Sequence, residues 1–335
     1  MATTMTSPAR SGAKTRRVTA RAVEGQELAL AGVLAVLWLV LSLVTDTFLT
    51  TSNLQNILFT VAPIALIGIG MTAVIVTAGI DVSVGSSLAV AAVIVAKLLR
   101  DAGVNAPTAL LVAVGVGAVL GLINGVVVAY GRIHAIIVTF GTLNLFRFIS
   151  LRIFDSQQVT GVPDTLEFLG GGAAGRTLGV PNAWWLVMAV GALVWLYMRY
   201  APTGRHLYAI GGDATAARLA GVQVERRLVA VYTLTGVLVG LAACISIGGG
   251  GLVQQNIGTG LELQVIAAVV IGGTSIIGGR GTVLGTLLGA LLVGTVTSAV
   301  TLLQWPSELT ALFIGIFILI AVGVDLIRER RRRSR

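Results

Sequence analysis

Apolar runs long enough to cross a hydrocarbon layer recur along this chain, separated by short polar segments. A bilayer core of about 30 Å needs about 20 helical residues at about 1.5 Å each. Such runs fall at 28–45, 54–78, 84–99, 107–129, 135–154, 183–200, 228–247, 264–277, 283–303 and 309–327. The pattern predicts an all-α integral membrane protein with about ten transmembrane helices, some of them interrupted, and both termini on the cytosolic side. The 264–277 run is short enough to be a tilted or broken helix. Residues 1–27 read as a basic N-terminal tail, 28–327 as the membrane domain and 328–335 as a basic C-terminal tail. The first apolar run ends at DTFLTTSN without a small-x-small cleavage pattern, so it reads as a retained helix and not a removed signal peptide.

Composition agrees. Of 335 residues, 56% are hydrophobic and 11% charged, and the mean hydropathy is +0.94, far above that of a soluble domain. The net charge of +9 acquires meaning from its distribution. With the N-terminus inside, 18 of the 23 Lys and Arg lie on the cytosolic side: the two tails, Arg132, the Arg199–Arg227 stretch and Arg280. That charge suits anionic lipid headgroups at the inner leaflet, so membrane lipid is the implied partner and nucleic acid is not. The single cysteine, Cys244, has no intrachain partner, and with only two histidines, His134 and His206, the composition offers no metal site.

The longest cytosolic connection spans 201–227 and contains YAIGGDATAARLAGV. Asp213 suits an N-cap, the alanine-rich 214–220 stretch a two-turn helix, and Gly221 the left-handed residue that closes it. So short a helix is marginal alone in water, so the protein's own cytosolic face or a partner must hold it. The chain has no GxxxxGK[ST] motif. The nearest match, GGGAAGRT at 170–177, has Arg176 in place of the lysine and lies in a predicted outer loop with no preceding strand. Any ATP-driven movement would need a separate ATPase subunit, with ATP and Mg bound there and no cofactor on this chain.

Two stretches interrupt the apolar spans with polar or glycine-rich backbone: AGIDVSVGSS at 78–87 and GGTSIIGGRGT at 272–282. Freed backbone groups at membrane depth must be buried in protein or face a water-filled path, so both are pathway candidates, with Asp81, Ser83, Gly278 and Gly279 as their residues. Asp81 followed by Ser83 serves equally well as a cap for the next helix. Thr139 and Asn144, with Thr142, Thr233 and Thr235, are further polar positions within spans. Their hydroxyls and amides suit weak exchange of hydrogen bonds with a polyol, but they also suit bonding back to helix carbonyls. No nucleophile and base pair points to a membrane enzyme.

GIDVSVGSSLAV at 79–90, IIVTFGTLNLFR at 136–147, GRHLYAIGGDATAARLAGV at 204–222 and GTGLELQVIAAVVIGGTSIIGGRGTVLGTLLGA at 258–290 resemble the signature blocks of ribose-type permeases, the membrane subunits of bacterial sugar ABC importers. The resemblance covers about residues 30–325. It implies a permease in the bacterial inner membrane that works with a second permease subunit, a cytosolic ABC ATPase and an extracytoplasmic sugar-binding protein. It also implies that the loop helix, with Asp213, Ala217, Arg218, Leu219 and Gly221, docks on the ATPase. The chain departs from the commonest ribose pattern at His134, Ala135, Ile136 and Asp213. Its QQVTGVPDTLEFL, GTGLE and LLQWPSELT segments are more similar to the autoinducer-2 and rhamnose permease branch. The alternative from a different class is a self-sufficient ion-coupled secondary transporter, for which Asp81 is the one buried carboxylate candidate, Glu262 and Asp325 being placed at span ends.

Overall fold

The computed structural model describes the backbone of residues 15–155 and 157–333 and the side chains of 25–155 and 157–323. Residues 1–14, 156 and 334–335 lie outside the described set, and the side chains that carry the charge expected on the tails lie outside it as well. The helices, in chain order, are α1 Thr15–Val44, α2 Thr51–Val76, α3 Val84–Ala102, α4 Ala106–Gly131, α5 Ala135–Phe154, α6 Asn182–Tyr200, α7 Pro202–Gly212, α8 Ala214–Leu219, α9 Val224–Ile247, α10 Leu261–Ile271, α11 Val283–Leu302 and α12 Glu308–Arg333. Four short strands were not expected from the sequence. They are β1 Val159–Val162, β2 Arg176–Thr177, β3 Val180–Pro181 and β4 Gly251–Val253, with β1 antiparallel to β4 and β2 to β3.

Each expected apolar run coincides with a helix, but the boundaries differ where local chemistry overrides hydropathy. Helix α1 begins at Thr15, inside the segment expected as a polar tail, because 15–27 is rich in Arg, Ala, Glu and Gln, which favour helix whatever their polarity. Helix α10 ends at Ile271, before the expected 277, where Gly272 and Gly273 close it. Among the described residues, seven helices are long and apolar enough to cross a membrane: α1 from Gly25, α2, α4, α5, α6, α9 and α11. Helix α3 carries Lys97, Arg100 and Asp101 near its end, α10 has only 11 residues, and the described apolar part of α12 runs from Glu308 to Gly323.

Helix α2 forms the middle of the bundle. Its side chains from Ala65 to Val76 are buried on every face, because α9, α10 and α11 surround it; a helix apolar all round belongs in such a place. Helix α4 packs along α9 through small residues. A Cβ at Gly121 would run into the carbonyl of Tyr232, and one at Gly117 into that of Gly236, so the two backbones approach as closely as glycine permits. Helices α4, α5 and α6 turn apolar faces outward, with Ile123, Phe140 and Leu193 exposed, the arrangement of a protein solvated by lipid.

The chain alternates between two ends. One gathers the α2–α3 turn, the α4–α5 turn, α7, α8 and the 272–282 loop. There Glu27 of α1 is hydrogen-bonded by the Thr282 hydroxyl, which also caps α11 through Gly285 N–H. The other gathers the strands and the loops at 155–181 and 248–257. There Gln55 of α2 donates to Gly179 O (2.8 Å) and Ser298 of α11 to Asn53 Oδ1 (2.9 Å).

Candidate functional site

The first interruption is a buried turn. Past Val76 the chain enters a left-handed residue at Ala78 (φ 63°) and reaches Asp81, which is only 3% exposed, before α3 begins at Val84. One carboxylate oxygen of Asp81 accepts from both the backbone N–H (2.9 Å) and the hydroxyl (2.7 Å) of Ser83, an Asx turn that organises the entry to α3. From α4, Asn124 Nδ2 donates to Ser83 Oγ (2.8 Å) and, at 3.4 Å, to the other Asp81 oxygen. From α5, the Thr139 hydroxyl donates to Ile80 O (3.0 Å). Asn124 lies seven residues before the end of α4, about 10 Å into the bundle at 1.5 Å per residue. The cluster is therefore inside the bundle and not at its end. Two buried polar atoms beside it, Asn124 Oδ1 and Tyr232 Oη of α9, have no hydrogen-bond partner among the described residues. Such atoms are where a buried water is expected.

The second joint lies deeper. Helix α10 spans only about 16 Å, half of the hydrocarbon core, so the chain leading into it must descend from the strand end. It meets the start of α3: a Cβ at Gly85 would strike both Gly258 O and the Glu262 carboxylate. Arg147 of α5 holds the descending segment by donating from Nη1 to Ile257 O (2.9 Å). Glu262 is half-buried and Leu263 exposed, while on α5 Asn144 faces outward and donates only to its own helix at Phe140 O (2.9 Å). The result is a seam of mixed polarity along an outer face of the bundle, bounded by α5 and α10.

The third joint seats the loop helices. Helix α8 runs over Ala214–Leu219, with Asp213 Oδ1 accepting from Thr215 N–H (2.8 Å) and Ala216 N–H (3.0 Å), and Gly221 follows at φ 84°. Ahead of it stands α7, which the loop's polarity concealed. Gly211 of α7 lies so close to the end of α2 that a Cβ there would collide with Val76 O, the same carbonyl that accepts from Gly279 N–H (2.9 Å). Tyr208 donates to Gly281 O (3.0 Å), and burial raises its phenol above its ordinary pKa, which keeps it a donor.

The structure thus brings Asp81, Ser83 and Thr139 together and keeps Asn144 apart from them. It puts Gly278 and Gly279 against Ala78 and Gly211, at the seat of α7. Of the loop-helix residues, Ala217 is turned inward against Ile210 and Val224, whereas Leu219 is 86% exposed and Arg218 pairs with Glu225 (2.6 Å). Thr142, Thr233 and Thr235 bond to carbonyls of their own helices. Asn124, Tyr232, Arg147 and Glu262 belong to the site although their roles were not read from the sequence. The signal existed for three of them: Asn124 is an amide inside an apolar run, and Arg147 and Glu262 are ionisable residues at or within spans.

Interrupted helices enclosing polar groups at membrane depth, in a multi-pass bundle, define a membrane transport protein. The family model described as "Branched-chain amino acid transport system / permease component" matches residues 53–322. The chain belongs to that family. It is 38% identical over 293 residues to the ribose import permease protein of Escherichia coli (strain K12), covering 87% of this chain and 91% of the relative. To the fructose import permease protein of Rhizobium meliloti it is 35% identical over 287 residues, covering 83% and 79%. To the autoinducer 2 import system permease protein of Photorhabdus luminescens it is 33% identical over 283 residues, covering 84% of each. The likeness to the autoinducer-2 relative thus extends over most of the chain, at a lower identity than that to the ribose relative.

Proposed function

We propose that this chain is the membrane-spanning subunit of an ATP-driven bacterial importer, and that its solute is a monosaccharide or a sugar-like molecule. The relatives are named as import permeases for ribose, fructose, allose and autoinducer 2, which supports this reading over an ion-coupled secondary transporter. In the proposed arrangement ten helices cross the inner membrane with both termini cytosolic. An external sugar-binding protein meets the strand end, a second permease subunit covers the seam between α5 and α10, and a cytosolic ATPase, which carries the ATP and Mg, meets α8. The membrane domain is 28–327, flanked by the basic tails 1–27 and 328–335.

The observation that carries the reading is the third joint. Backbone of α7 rests directly on the end of α2 and on the 278–281 turn, so motion imposed on α8 reaches both interrupted segments without passing through flexible side chains. Asp213 and Gly221 shape α8, Ala217 anchors it, and Leu219 and Arg218 present it to the ATPase. Asp81, Ser83, Thr139 and Asn144 border the solute path, while Gly278 and Gly279 serve the joint. The test is reconstitution. Proteoliposomes holding this chain, its ATPase and its binding protein should accumulate sugar only with internal-site ATP. Uptake by the chain alone under a proton or sodium gradient would establish the secondary transporter instead.

A further inference from the structure

A cavity of about 540 Å³ opens at the α7 end, between the last turn of α4 and the chain linking α8 to α9. Its polar lining is Tyr130, Arg132, Arg218, Gln223, Glu225 and Arg226. Three guanidiniums thus meet one carboxylate. Arg218 is committed to Glu225, and Arg226 donates to Gln223 Oε1 (3.0 Å). Arg132, the left-handed residue that ends α4 (φ 54°), is exposed; among the described residues it makes no hydrogen bond or ion pair, and its charge acts only through space on Glu225. The cavity carries a net positive charge with a donor unspent.

The wall below it is apolar. Ile123, Val126, Val127 and Tyr130 form one exposed stripe on α4, at helical spacing, leading up to the arginines. Tyr130 is 60% exposed at the top of that stripe, where an amphipathic ring marks a membrane interface. The stripe belongs to the face of α4 that is turned to lipid, so the arginines sit where an acyl chain already lies against the helix, whereas an acidic side chain of a soluble partner would use the arginines alone. A phospholipid uses both, its phosphate accepting from the guanidiniums while an acyl chain lies along α4.

We propose that this groove binds one anionic phospholipid, headgroup phosphate on Arg132 and Arg226, at the root of the α8 element. The full chain, purified into nanodiscs of phosphatidylcholine and phosphatidylglycerol in equal parts, would be released into native mass spectrometry and its retained lipid counted. Wild type should retain phosphatidylglycerol preferentially. The preference should fall by about 5-fold for each arginine neutralised and by roughly 30-fold in Arg132→Gln/Arg226→Gln, with phosphatidylcholine retention unchanged. Arg132→Lys/Arg226→Lys should keep most of it, and Arg152→Gln, at the opposite end, all of it. If the double Gln variant does not fold, the single Arg132→Gln variant carries the test.

Wild-type retention in folded Gln variants would overturn the proposal, as would displacement of the lipid by inorganic phosphate. Loss of a co-purified ATPase with lipid preference intact would likewise overturn it, and would assign the arginines to a protein contact. Because both leaflets of the nanodisc have one composition, the outcome does not depend on which way the chain faces.

Discussion

Two adjacent glycines at the end of α7 should respond in opposite ways to the same substitution. A Cβ at Gly211 would stand 2.5 Å from Gly279 N and closer still to Val76 O, whereas ordinary contact begins at 3.4 Å; one at Gly212 would meet nothing within 4 Å. Both obstacles at Gly211 are backbone, and they are hydrogen-bonded to each other, so α7 itself must retreat by about 1 Å or more. Overpacking of this kind costs about 1–3 kcal/mol. Gly212→Ala avoids that cost and gains up to about 1 kcal/mol by restricting the unfolded chain. The two variants should therefore differ by roughly 1–4 kcal/mol in stability. Cys244 is the sole cysteine and is buried, so a thiol-reactive dye reports unfolding without further engineering. Coupling is read in parallel as sugar-stimulated ATP hydrolysis by the assembled complex. Gly211→Ala should unfold earlier and lose stimulation, and Gly212→Ala should do neither. Equal stability and equal stimulation in the two variants would refute the claim that α7 is seated by backbone contact.

Three further outcomes follow from the other joints. Asp81→Ala and Asn124→Ala should each destabilise the bundle by about 1–3 kcal/mol through stranded buried partners, and the double variant should lose less than the sum, since they share a cluster; strict additivity in dye-monitored unfolding would separate them. Gly221→Val should weaken ATPase co-purification while leaving membrane abundance unchanged, because φ 84° is strained for a β-branched residue; undiminished association would place the docking contact elsewhere. A topology reporter inserted within 170–175 should read external and one near Gly212 cytosolic, and a cytosolic signal from the first would break the ten-span arrangement.

The positions and order of the long apolar helices were legible because each span must satisfy its backbone internally and be apolar for about 20 residues. The cap and the left-handed closure of α8 were legible for a similar reason: Asp213 and Gly221 are local signals, needing no tertiary partner. What escaped was whatever depends on a distant contact. Helix α7 has buried Gly204, Leu207 and Ile210, but its stability comes from packing on α6, α2 and the 272–282 loop, which the polar sequence PTGRHLYAIGG does not announce. Strands β1 and β4 pair across about ninety residues of chain, each too short to be recognised alone. Asp81 had two readings, cap and buried pathway group, and the geometry explains why the residues could not separate them. The same carboxylate receives the Ser83 N–H at the start of α3 and faces Asn124 inside the bundle.

The three joints lie along one continuous piece of chain, and that order suggests how the two ends of the bundle communicate. Val76 O, at the end of the 26-residue helix α2, is held by Gly279 and abutted by Gly211. Five residues on is Asp81, fixed to α4 through Asn124, and four more reach Gly85, which abuts Gly258 and Glu262. Most of these contacts involve backbone on at least one side. A side chain between two helices can change rotamer and absorb a displacement, whereas a carbonyl against a glycine cannot, and close-packed interiors transmit what they cannot absorb. A shift of α7 toward or away from the membrane therefore moves the turn at 77–83 as a unit, and with it the start of α3. The seam between α5 and α10 changes only if Gly258 follows Gly85. Arg147, which holds Ile257 O, and Glu262, which lies against Gly85 beside Gly258, are the groups placed to determine whether it does.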